Sequence, residues 1–148
     1  MKKLHIEPGK SIGVVKLGMS KDEIELLTKN DSVFYMVEYD IEDRCKFIQI
    51  ASSTKESYVC EYSDIDLFNT KVSDLVTLLD NISPYDRNHF EVGYTYIFPK
   101  LGLSLWRPQN ISEDIIHEQW FKEMSIENQQ DELKHLYFES VSVFNVKT

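Results

Sequence analysis

Glycine and cysteine are both scarce in this chain, and each shortage removes a class of function. Five glycines occur in 148 residues, and none forms the G-x-G-x-x-G spacing of a dinucleotide site. The two cysteines, Cys45 and Cys60, belong to no CxxC pair and have no histidine cluster around them. That excludes zinc ribbons and thioredoxin-type redox motifs. Both sit in apolar or aromatic strand-like segments, where buried free thiols are expected. No apolar run reaches the length of a membrane-spanning helix. The opening MKKLHIEPG has two lysines but no apolar stretch after them, so no signal peptide is expected and a cytoplasmic protein is. Positive charge is also short. Sixteen Lys and Arg face 25 Asp and Glu, for a net charge of −9. This excludes a general nucleic-acid binder and a protein that docks on anionic lipid, since both need a basic face. A basic protein partner remains compatible.

Of the residues present, 42% are hydrophobic, enough for one globular domain with a sizeable core. PGKSIG near the start spells the end of a phosphate loop. The full motif needs G-x-x-x-x-G-K-[ST] followed at once by a helix. Leu4 stands where the first glycine belongs, and β-branched IGVVKL follows instead of a helix. The stretch therefore reads as a Pro-Gly turn before a strand, Ile12 to Leu17, ended by Gly18. Ser20-Lys21-Asp22-Glu23 is a capping box, with Ser20 and Glu23 exchanging hydrogen bonds at the start of a helix that closes near Asn30-Asp31. VFYMVEYD and RCKFIQIAS read as an antiparallel hairpin around Ile41-Glu42-Asp43. SYVCEYSDIDLF predicts another strand with a turn at Ser63-Asp64. A polar cap at Asn69-Thr70 then introduces a helix over VSDLVTLLDNI. GYTYIFP and GLSLWRP predict two strands around Lys100-Leu101-Gly102, and LYFESVSVFNV a last one carrying Phe138, Val141, Val143 and Val146. Between them, 109–135 reads as part helix from Glu113, with Asn128–Asp131 loose.

A strand end, a polar cap and a short amphipathic helix thus occur twice, about fifty residues apart. The expected fold is a single α+β domain over 1–148, built as a duplicated helix-plus-antiparallel-sheet unit with repeats of about 10–62 and 63–148.

PGKSIGVVKLGMSKDEIELL resembles the opening of a family of small uncharacterised bacterial proteins, which runs Pro-Gly-x-Gly-Ile-Gly, an apolar strand, Leu-Gly-Met-Ser/Thr and a capped helix. IDLFNTKVSDLVTLL, YTYIFPKLGLSLWRP and YFESVSVF resemble its later parts in the same order, and together the four stretches span nearly the whole chain. Ser11 departs from the glycine frequent there. Some members look like immunity proteins that neutralise a toxin made by the same cell, and that is the function the resemblance implies. The helix-then-sheet duplication also resembles β-lactamase-inhibitor-like and outer-membrane-assembly lipoprotein domains, a likeness of fold alone. No functional residue carries over.

The chemical motifs are mostly negative. HEQWF at 117–121 lacks the second histidine of a zinc-protease helix, since Phe121 occupies its place. His5, His89, His117 and His135 lie far apart in sequence. Two acidic groups, Glu38, Asp40, Glu42, Asp43 and Glu61, Asp64, Asp66, fall at predicted strand ends. They lack the glycine of a calcium loop. Their ordinary role is as solvated turns, and their functional one a face for a basic partner. Tyr94, Tyr96 and Trp106 stand out among many strand aromatics, with one set in the core and the other on an exposed aromatic surface. The expected function is therefore a cytoplasmic protein-binding protein that neutralises a cognate toxin, with those acidic and aromatic residues at the interface. A small-ligand or peptide-binding module is the alternative. An enzyme would need a site assembled in space, for which no catalytic residues stand out. No cofactor or metal is implied.

Overall fold

The computed structural model describes residues 1–146. The protein is a single α+β domain with two five-stranded sheets. Chain order explains how the sheets share the sequence. Strand β1 (Lys2–Glu7) is followed by two short strands, β2 (Ser11–Ile12) and β3 (Val15–Lys16), and helix α1 (Lys21–Thr28). The hairpin β4 (Met36–Tyr39) and β5 (Cys45–Ala51) comes next, then β6 (Tyr58–Tyr62), β7 (Ile65–Asp66) and helix α2 (Val72–Ile82). A second hairpin, β8 (Thr95–Phe98) and β9 (Leu103–Trp106), precedes short helices α3 (Gln119–Lys122) and α4 (Ile126–Leu133), and β10 (Ser140–Phe144) ends the fold.

The first sheet has the order β3-β2-β1-β6-β7 and the second β4-β5-β10-β9-β8. Each is a central strand flanked by two hairpins. Both helix-bearing halves of the chain send a hairpin to the second sheet, so neither half owns a sheet of its own. The second sheet is wholly antiparallel, whereas β1 and β6 of the first run parallel, with Leu4 opposite Cys60.

Several local expectations need correction. Ile12–Leu17 is not one strand. Gly13 takes a positive φ of 56° and turns the chain, so that Ile12 pairs with Val15 in a two-residue hairpin. PGKSIG is a turn, but it lies between two strands, because Lys2–Glu7 already pairs with β2. Helix α2 spans the predicted residues, yet Asn69 and Thr70 do not cap it. They bond back to Asp66, and the N-cap position, Lys71, makes no side-chain capping bond. Asn128–Asp131 is helical, inside α4, whose first turn is capped by Ser125 accepting from the Asn128 amide. Phe138 and Val146 lie outside the last strand. The capping box at Ser20 is present in both directions.

Alternation builds the core. Leu4 and Ile6 of β1, Cys60 of β6, Ile48 and Ile50 of β5, Val141 and Val143 of β10 and Leu103 and Leu105 of β9 are all buried. With Ile24 of α1 and Val72, Leu75 and Leu79 of α2 they form one contiguous cluster. The two turns Pro8-Gly9 and Leu101-Gly102 meet backbone to backbone. The Gly9 amide donates to Gly102 O at 3.1 Å, and that oxygen also accepts from the Phe144 amide at 3.0 Å. The glycine that resembles part of a phosphate loop is therefore a docking point between the sheets. Among the described residues no helix is long and apolar enough to cross a membrane.

Candidate functional site

The ten residues singled out in the sequence do not form one surface. Strand β4, with Glu38, is one edge of the second sheet, and β8 is the other. Four strand spacings separate them, roughly 19 Å. Tyr96 sits opposite Leu105 on the core side, packed edge-on against Tyr85 and Phe138. Trp106 sits opposite Thr95 and therefore on the other face. Tyr94 precedes β8 and is exposed. The three aromatics thus point to different places.

The carboxylates divide by role. Asp40 accepts from the amides of Glu42 and Arg44 at 2.9 and 3.0 Å, closing the β4–β5 turn. Glu61 is buried; it pairs with His5 Nδ1 and accepts from the Asp64 amide. Asp66 accepts from Asn69. These three are committed to turn geometry. Glu38, Glu42, Asp43 and Asp64 are exposed and remain available.

What the structure does bring together is the stretch from α1 to β5. A cavity of about 420 Å³ opens between α1 and β4. Its apolar wall is Ile24, Val33, Phe34 and Val37, with the rings of Tyr35 and Tyr39, and Glu25, Thr28 and Asp31 bring polar groups to it. Asp31 organises the connecting loop. It accepts from the Val33 amide at 2.9 Å and from the Tyr35 hydroxyl at 3.3 Å. Burial, reinforced by the Asp31 charge, pushes the Tyr35 hydroxyl well above the ordinary tyrosine range, so the ring acts as a neutral donor.

The stretch that builds this groove is unusual in two ways. Residues 20–45 hold eight carboxylates against three cations, a net −5 of the chain's −9. The same stretch exposes large apolar side chains, with Leu26 76% and Phe34 77% accessible, and Leu27, Met36 and Ile41 exposed as well. Of these only Phe34 lines the groove, beside the carboxylates of Glu25 and Asp31, while Met36 alternates with Val37 and Tyr39 and faces the other side of β4. An exposed aromatic side chain next to charged groups suits protein docking. Strand addition at the β4 edge is disfavoured, because a bulge between Glu38 and Tyr39 breaks the register and Glu38 projects charge from the edge. The groove, rather than the open edge, is the candidate site. The sequence reads Leu26 with Ile24 and Leu27 as the apolar side of α1 and Phe34 as one of many strand aromatics. The structure buries Ile24 alone of the helix residues and leaves Leu26, Leu27 and Phe34 exposed, a difference that no local pattern records.

Catalytic groups do not converge here. Burial pushes the Cys60 thiol up to about 12 and raises Cys45 as well, so both are inert free cysteines. Among the described residues no group of three or more His, Cys, Asp or Glu is placed to hold a metal. No family model, no curated protein and no solved structure matches this chain.

Proposed function

We propose that the α1–β4 groove binds a basic protein partner and that the protein acts as an immunity protein in the cytoplasm, covering the working surface of a toxin. The observation that carries the binding reading is a groove that holds the exposed Phe34 beside Glu25 and Asp31, within a stretch, residues 20–45, that carries eight carboxylates and five exposed apolar side chains. The toxin reading rests on the family resemblance of the sequence. A toxin that attacks nucleic acid carries a basic face to engage phosphate, and an acidic inhibitor is steered to such a face quickly. Phe34, which lines the groove, then supplies the contact that slows dissociation.

The test is affinity capture from the native host at moderate salt, with the wild-type protein and a Phe34→Ser variant side by side. Phe34 is 77% accessible, so the variant should fold as the parent does. The expected result is a stoichiometric basic protein kept by the wild type, released by the variant, and toxic when expressed without its inhibitor. Capture of the same partner by both proteins would move the interface elsewhere. A partner whose activity is unchanged by binding would end the immunity reading.

A further inference from the structure

A second site lies at the opposite edge of the same sheet, and it has the opposite charge. Arg107 follows β9 and is 4% accessible. Its Nε donates to Gly93 O at 2.9 Å. Nη1 donates to the carbonyls of Ile111 and His135 at 3.0 and 2.8 Å, and Nη2 to Asn110 Oδ1 at 3.2 Å. All four acceptors are neutral. Among the described residues no carboxylate pairs with this guanidinium. A guanidinium has five N–H donors, so one on Nη2 is left over. A buried charge without a counter-ion is expensive, and a neutral side chain could tie the same carbonyls at less cost.

Arg107 also lines a cavity of about 200 Å³ whose far wall is the start of α2. The N-cap of that helix, Lys71, makes no side-chain capping bond, and among the described residues no side chain accepts from the amides of its first turn. Lys71 and Glu113 also line it, paired with each other at 3.2 Å. Tyr96, Val72 and Leu136 make the apolar part of the wall. The volume equals about seven waters, enough for a small acid and too small for a nucleotide.

We propose that this cavity binds a small organic carboxylate, its oxyanion shared by Arg107, Lys71 and the N-terminus of α2, and its apolar body against Tyr96 and Leu136. Each part has a separate reason. The buried guanidinium supplies a fixed positive charge with a spare donor. The uncapped helix start supplies oriented amides and the positive end of its dipole. The apolar walls disfavour a fully hydrated inorganic anion. Glu113 is the carboxylate that Lys71 engages in its own chain, so a ligand carboxylate competes with it. This inference is independent of the partner-binding groove.

The test follows amide and Arg107 Nε–H resonances of the full chain during titration with benzoate, with benzamide as the neutral isostere. Benzoate should shift Arg107, Ser73 and Tyr96 saturably, with Kd of about 1 mM or below, and benzamide should not. Lys71→Ala should weaken benzoate about three- to tenfold through loss of one charge-assisted contact. Glu113→Gln should tighten it by removing the competitor. Both positions are partly exposed, so neither variant endangers the fold, and a merely structural Arg107 would leave both effects absent. No saturable shift up to about 20 mM, equal binding of benzamide, or binding of inorganic phosphate but not benzoate would overturn the proposal. So would unchanged affinity in both variants.

Discussion

Replacing Gly102 by alanine tests how the two sheets are joined. Gly102 has φ of +77°, a conformation that costs an alanine about 1 kcal/mol. Its new Cβ would stand 2.4 Å from Phe144 O and 2.7 Å from Gly9 Cα. Both obstacles are backbone, so neither can rotate aside. Relief requires separating the Gly9 turn from the Gly102 turn or lifting β10 away. Either movement endangers the two hydrogen bonds that Gly102 O accepts, from Gly9 and Phe144. At about 1 kcal/mol each, they bring the expected loss to about 3 kcal/mol, a large part of the roughly 5–15 kcal/mol that holds a domain together.

Gly18→Ala supplies the control. Gly18 has φ of +89°, and a Cβ there meets nothing within 4 Å. It should cost only the conformational term, about 1 kcal/mol. Urea unfolding followed by fluorescence measures both. With a denaturant slope of about 2 kcal/mol/M, the two variants should differ in midpoint by about 1 M. Equal losses, within about 0.5 kcal/mol, would mean that the turns give way freely. The close approach would then contribute nothing beyond backbone conformation.

Ser20→Ala removes the capping box of α1 and should cost about 1 kcal/mol in the same assay. Because α1 carries Glu25 and Thr28 into the groove, it should also weaken partner capture. The thiols give a pH prediction. Cys60 ionises near 9 in the unfolded chain and near 12 in the fold. Its contribution to stability is therefore whole below pH 9 and is lost as pH rises toward 12. Cys60→Ala should flatten the alkaline limb of stability against pH, and a thiol reagent at pH about 8 should label neither cysteine until the protein is denatured. Rapid labelling of the native protein would refute the burial argument.

Much of this fold was legible because its signals are local. The β4–β5 and β8–β9 hairpins announce themselves by aromatic and β-branched runs around short polar turns. Helix α2 has an apolar face, and α1 a cap readable in four letters. Strand β1 was also readable in principle, since Leu4 and Ile6 alternate with polar residues. Its polar positions drew attention to the turn instead. Helix α4 left less to find, because none of its residues is buried and no apolar period marks it. The arrangement of strands was beyond local pattern. Parallel pairing of β1 with β6 and the central place of β10 are set by contacts between residues far apart in sequence. Arg107 shows the same limit at a single residue. Three of its four acceptors are backbone carbonyls, the farthest 28 positions away, and no sequence motif records which carbonyls a chain will gather.

The same topology separates the two candidate sites. The acidic groove is built on β4 and the cationic cavity beside β8, at opposite edges of one antiparallel sheet. A buried sheet between them, with Ile48, Val143 and Leu103 in register across three strands, is stiff and close-packed. Sites that far apart with no shared partner behave additively within a few tenths of a kcal/mol. Phe34→Ser should therefore leave benzoate affinity untouched, and Lys71→Ala should leave partner capture untouched. If benzoate altered partner affinity, linkage would require the partner to alter benzoate affinity by the same factor. A second arrangement of the sheet or its loops would then have to exist. In the arrangement described here each site is complete by itself: the groove takes its charge from Glu25 of helix α1 and Asp31 of the loop after it, and the cavity takes its charge from Arg107 and Lys71 at the far edge of the sheet.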